Sequence, residues 1–407
     1  MYFPWFLGQI CARWRLVFLS MSTHFWGNIA ISFFGGTAHP GLFKRAWDML
    51  NFCLKNSEEC QCPLSFSFGT GGSYYKEYSY VIDILDALLT QSTRWVKVEL
   101  CIPAAEGPRL HHIKGRMPLL QSLVFAEREL DDWEALSMPI DPGFARFVDA
   151  FEDSPSLTHL ELHVSSIKGW KCDWSSMVVL RLNSLSTADG LVAALSQSMH
   201  LEELEVTWAA ANLVLEPIDM ASSMITLSSL KTLALPWNVL GVLTAPGLEH
   251  LSIEFTNQDE HARIITAFLH RSACLLGHLV LEYASPAVAI EVLSVIPGLP
   301  SLEIRYYSNV DGIIKVFNCN LPEGASLIGP RLKSFQVHLK EDLQQGEVAE
   351  LSAMVASRAQ NVEVDALREL TLWAGYSWME VDLAPLRSQC KEQGVKLTVG
   401  GGLSAFM

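Results

Sequence analysis

Charge is scarce in this chain of 407 residues. Only 18% of positions are Asp, Glu, Lys or Arg, and half of all residues are hydrophobic. Basic residues are scarcer still: 29 Lys and Arg face 44 Asp and Glu, a formal charge of −15. A nucleic-acid partner requires a basic face, so that class of ligand is not expected, and an anionic membrane surface is disfavoured for the same reason. No stretch of 18 or more apolar residues occurs, so no membrane span is expected. The apolar segment Met1 to Ser20 carries Arg13 and Arg15 after its apolar run, and no small-residue cleavage site follows, so no signal peptide is expected either. Nine scattered cysteines (11, 53, 60, 62, 101, 172, 274, 319 and 390) show neither a disulfide framework nor zinc-ribbon spacing. Reduced thiols fit best, which points to the cytoplasm or nucleus. Gly-x-Ser-x-Gly, His-Glu-x-x-His and paired carboxylates in a recognisable frame are all missing. No catalytic residue, cofactor or metal is therefore assigned.

What is abundant is one phrase. Leu-x-x-Leu-x-Leu occurs as Leu157-Thr-His-Leu160-Glu-Leu162, Leu201-Glu-Glu-Leu204-Glu-Val206, Leu230-Lys-Thr-Leu233-Ala-Leu235, Leu248-Glu-His-Leu251-Ser-Ile253 and Leu299-Pro-Ser-Leu302-Glu-Ile304. It returns as Leu332-Lys-Ser-Phe335-Gln-Val337 and Leu367-Arg-Glu-Leu370-Thr-Leu372. Weaker versions centre on Ile29, Phe66, Val98, Leu123, Leu180, Leu279 and Leu397. The central residues step by roughly 18 to 37 positions, about 28 on average, near the long end of the leucine-rich range. One copy continues through Pro236-Trp237-Asn238-Val-Leu240, with Asn in the slot of the full repeat. Such a unit cannot bury its apolar face alone, so copies must stack.

Between phrases the apolar period changes from 2 to 3.6. Tyr78, Val81, Ile82, Leu85, Leu88 and Leu89 mark one helix face, and Phe144, Phe147, Val148 and Phe151 another. Ser285-Pro286 reads as an N-cap with Pro at the first helical position, followed by Val288, Ala289, Val292, Leu293 and Ile296. The expected fold is an α/β leucine-rich-repeat solenoid, with parallel strands on a concave wall and helices on a convex wall. The second leucine of each phrase should be buried. The residues alternating with it should point outward.

Those outward positions are the candidate partner-binding residues: Glu161, Arg181, Glu205, Glu254, Glu282, Glu303, Arg305 and Trp373. Their acidic bias suits a basic protein, and a solvated polar strand face accounts for it equally well. His250 and His278 should be ladder neighbours about 5 Å apart. Gly69-Thr-Gly71-Gly72-Ser73 sits where phosphate loops sit, but Lys76 comes too late for one, and a flexible turn explains the glycines.

The first 32 residues differ. Ile10-Cys11-Ala-Arg13-Trp14-Arg15, followed by Phe25-Trp26, resembles the second half of an F-box. Leu64-Ser-Phe66-Ser-Phe68, the segment from Ile84 to Trp95 and the segment from Ile113 to Leu123 are similar to the large fungal family of F-box-like leucine-rich-repeat proteins. The resemblance implies a partial F-box-like helical segment over 1–32, with Ile10, Cys11, Trp14 and Trp26 as its core, and a repeat solenoid over 33–407. The opening Leu-Pro-x-Glu of that module is not in the sequence, so the expected F-box is a truncated one. In that family the F-box docks on a Skp-type adaptor of a cullin ubiquitin ligase and the repeats select the protein substrate. The implied function is a non-enzymatic substrate receptor. The alternatives are a repeat scaffold or sensor not coupled to a ligase, and, more remotely, an enzyme with an unrecognised site.

Overall fold

Each phrase becomes a strand. The computed structural model describes residues 26–33, 40–59, 61–70, 78–128, 149–188, 190–208, 224–255, 261–307, 311–319, 328–339, 345–374 and 382–401. The chain divides into two compact units, Met1–Ser198 and Met199–Met407.

In the first unit, β1 (Asn28–Phe33), β2 (Leu64–Thr70), β3 (Trp95–Pro103), β4 (Ser122–Arg128), β5 (His159–His163) and β6 (Val179–Leu185) pair in chain order, all parallel. The register aligns the phrase centres: Ile29, Phe66, Val98, Leu123, Leu160 and Leu180 stand opposite one another in turn. Helices α1 (Pro40–Glu59), α2 (Tyr78–Thr90) and α3 (Leu191–Gln197) connect or follow these strands. In α2 the buried face is Val81, Ile84, Leu85, Leu88 and Leu89. Ile84 is fully buried where the periodicity named Ile82, so the face is rotated slightly from expectation. The expected helix around Phe147 and Phe151 is not found where it is described. Residues 149–153 form turns, and 144–148 lie outside the described residues. Phe151 is nonetheless buried, stacked on Trp170 with ring centroids 6.1 Å apart. Phe151 thus reaches the core from a turn.

The second unit repeats the plan. Strand β7 (Glu203–Trp208) leads, and a two-residue strand β8 (Ile225–Thr226) follows. Next come β9 (Thr232–Pro236), a 3₁₀ turn over Trp237–Val242, and a second short strand, β10 (Leu243–Thr244), which pairs with β8. The main ladder continues with β11 (His250–Glu254), β12 (His278–Glu282), β13 (Ser301–Tyr307), β14 (Ser334–Leu339), β15 (Glu369–Ala374) and β16 (Lys396–Gly401). Helices α4 (His261–Ser272), α5 (Pro286–Ser294), α6 (Asp311–Phe317), α7 (Gln345–Gln360) and α8 (Ala384–Glu392) connect β11 to β16. Leu204, Leu233, Leu251, Leu279, Leu302, Phe335, Leu370 and Leu397 align in register. The Ser285 cap forms as read, its side chain accepting from the Val288 N–H, but α5 ends at Ser294, two residues short of Ile296.

Leu160, Leu180, Leu204, Leu233, Leu251, Leu279, Leu302 and Leu370 are all at most 1% exposed. Alternation along each strand sends every second side chain to the opposite face. Two arginines, Arg271 half-buried and Arg358 buried, tie turns to helix ends. Arg271 Nη2 donates to the carbonyls of Leu240, Gly241 and Leu243, and Arg358 Nη2 to those of Gly329, Leu332 and Asp365.

Candidate functional site

The outward faces of the strands carry polar clusters, one in each unit. In the first unit Glu161 on β5 is the hub. His163 Nε2 lies 2.8 Å from its Oε1, Asn183 Nδ2 donates to the same oxygen at 3.3 Å, and Arg181 Nη1 stands 3.6 Å from Oε2. The pairing of β5 with β6 sets this geometry, because Glu161 is opposite Arg181 and His163 is opposite Asn183.

The second unit holds the denser cluster. Glu303 on β13 is only 7% exposed. Arg305 Nε donates to its Oε1 at 2.6 Å, His338 Nε2 on β14 lies 3.0 Å from Oε1, and His278 Nε2 on β12 lies 3.6 Å from Oε2. Arg305 also donates through Nη1 to Glu282 Oε1 on β12 at 2.7 Å. Burial by itself raises the Glu303 carboxyl. His278, His338 and Arg305 more than offset this and hold it well below the ordinary carboxylate range. Glu254 on β11 is opposite Glu282. Its carboxyl is pushed upward, first by burial and then by that neighbouring charge.

Trp373 on β15 is half-exposed and lies nearly parallel to the His338 ring, centroids 6.0 Å apart at 12°. Its strand neighbour on the other side is Gly400, where an added Cβ would overlap the indole ring. Trp237 is instead packed flat on the buried His261, centroids 3.6 Å apart. Glu205 is half-buried on β7. His250 and His278 are ladder neighbours as expected, with ring centroids 6.1 Å apart.

One chemical arrangement was not foreseen. Ser301 Oγ and His278 Nδ1 are hydrogen-bonded at 2.9 Å, and Glu303 stands beyond the other ring nitrogen. Hydroxyl, imidazole and carboxylate in series is the order of a nucleophilic relay. Here the carboxylate is 3.6 Å from the imidazole, past hydrogen-bond reach, and is committed to Arg305 and His338. Ser301 also lies in a strand, paired with Ser334, where backbone N–H groups serve the ladder rather than an oxyanion. Ser301 and Glu303 share one phrase and His278 lies on the phrase before it, so the contact depends on the register of two strands and no local sequence signal announces it.

Among the F-box-like core residues, Trp26 is buried and meets Phe52 of α1 edge-on at 5.4 Å. Ile10, Cys11 and Trp14 lie outside the described residues, as do Gly71, Gly72 and Ser73 of the glycine-rich turn. Cys53 and Cys62 are buried, and burial pushes the Cys53 thiol up to about 11. Among the described residues no group of three His, Cys, Asp or Glu is placed to hold a metal ion. No described helix is long and apolar enough to cross a membrane.

The class that fold and faces define is a parallel α/β repeat protein with polar clusters on its strand faces. No family model matches the chain, and no curated protein matches it either.

Proposed function

We propose that this chain is a non-enzymatic recognition subunit that holds a protein partner on its strand faces and, through an F-box-like segment over 1–32, serves as substrate receptor of a cullin-type ubiquitin ligase. The observation that carries the recognition half is the register. Outward residues that are far apart in sequence line up strand by strand on rigid parallel ladders, which is how a preformed binding face is built. The hub carboxylates Glu161 and Glu303 are each paired within their clusters, and in the Ser301–His278–Glu303 series the carboxylate stands 3.6 Å from the imidazole and is committed to Arg305 and His338. Recognition is therefore favoured over catalysis. The ligase half rests on the resemblance of Ile10 to Trp26 alone.

The test is affinity purification of the tagged full chain from cells, with mass spectrometry of what co-purifies. A Skp-type adaptor and a cullin together with further proteins support the receptor reading. Further proteins without adaptor or cullin support the scaffold or sensor instead. The recognition reading fails if the captured set is unchanged when the outward residues of β11 to β15 are replaced.

A further inference from the structure

On the strand face of the second unit one residue from each of five successive strands falls into a row: Glu254, Glu282, Arg305, His338 and Trp373. Neighbouring strands lie about 4.8 Å apart, so the row is about 19 Å long. Its charges are settled unevenly. Arg305 answers both Glu282 and Glu303. Glu254, at the end of the row, is half-buried beside Glu282 and forms no ion pair with a lysine, arginine or histidine among the described residues. A cation placed between Glu254 and Glu282 would be shared by two carboxylates, whereas an anion there would add a third like charge. At the far end Trp373, half-exposed, lies between His338 and Gly400 of the neighbouring strands.

We propose that this row is the docking line for an extended segment of a partner protein that crosses the strands. It sets a lysine or arginine between Glu254 and Glu282 and an apolar side chain against the half-exposed Trp373. An extended chain covers about 3.3 Å per residue, so the two anchors lie about six residues apart in the partner. Arg305, in the middle, is neutralised by two glutamates and asks for no charged partner. The proposal rests on the recognition reading and adds to it which chemistry is recognised.

The experiment pans a displayed library of random peptides against the full chain and measures the recovered peptides on the wild type and three variants. Recovered sequences should carry Lys or Arg with an apolar residue about six positions away. Glu254→Gln and Trp373→Ala should each weaken them about tenfold or more, and salt should weaken the wild-type complex. Glu202→Gln, exposed ahead of β7 and paired with Lys231, should leave affinity unchanged. Glu254→Gln removes a like-charge contact without changing shape, so it tests the row even where Trp373→Ala disturbs packing. Peptides without a basic residue, peptides that bind Glu254→Gln as they bind the wild type, or no recovered peptides at all would overturn the proposal. A cellular partner that depends on the strand face but ignores Glu254 would also overturn it, while leaving the recognition reading intact.

Discussion

Glu303 is where residue-scale energetics are sharpest. Its folded-state carboxyl sits below the ordinary value of 4.5, so the folded protein binds fewer protons there than the unfolded chain does. The stabilisation is fully present above that ordinary value and is lost as pH falls toward the lower folded value. Glu303→Gln should cost about 2 kcal/mol near neutral pH, less than a fully buried pair because Arg305 is a third exposed. Urea unfolding at a series of pH values checks this. The gap between wild type and variant should close in acid, and a gap that is constant with pH would contradict the assignment. Asn238 is the opposite case. It is 3% exposed, and neither Oδ1 nor Nδ2 has a hydrogen-bond partner among the described residues. A buried amide left unpaired costs about 1–3 kcal/mol, so Asn238→Leu, of similar shape, should raise stability by about 1 kcal/mol, read as a higher midpoint of unfolding. A loss of stability would mean that the amide is bonded after all.

At the scale of elements, alternation and register do most of the work. Leu279 on β12 stands between Leu251 and Leu302 in the ladder, all three fully or almost fully buried. Leu279→Ala should therefore cost about 3 kcal/mol through lost burial and a cavity, whereas replacing its outward neighbour His278 with Ala should cost far less. Similar losses at the two positions would contradict the burial pattern. Helix α5 shows how local chemistry starts an element. Ser285 accepts from the Val288 N–H and Pro286 needs no partner for a missing donor, so both ends of the capping argument were visible beforehand. Its end was not visible. Apolar spacing continues to Ile296, yet the chain leaves the helix after Ser294. Periodicity records which residues want burial, not when the helix stops.

For the whole molecule the net charge of −15 sets the long-range field. A basic partner should associate quickly at low salt and more slowly as ionic strength rises, with the dissociation rate little changed. Stopped-flow association at several salt concentrations would show this. A rate indifferent to salt would mean that the acidic excess is only a solvated surface. That outcome is physically reasonable for much of the face, because Glu161, Glu282, Glu303 and Glu369 already have cationic neighbours within the chain.

The sequence, by spacing alone, places the strands that carry the phrase, the residue of each that faces inward and their parallel pairing, but not the two-residue strands β8 and β10. Period 2 places alternate residues on opposite faces, and a repeated phrase must stack on its neighbours. It also named most members of the face: Glu161, Arg181, Glu254, Glu282, Glu303, Arg305 and Trp373. How those residues pair their charges emerges from the folded chain. Arg305 lies two positions from Glu303 but reaches Glu282 across a strand, His338 and His278 close on Glu303 from either side, and Glu254 is left beside a second carboxylate. The cross-strand contacts among these join residues 23 to 35 positions apart, and their distances depend on strand register and side-chain reach, neither of which any local pattern encodes.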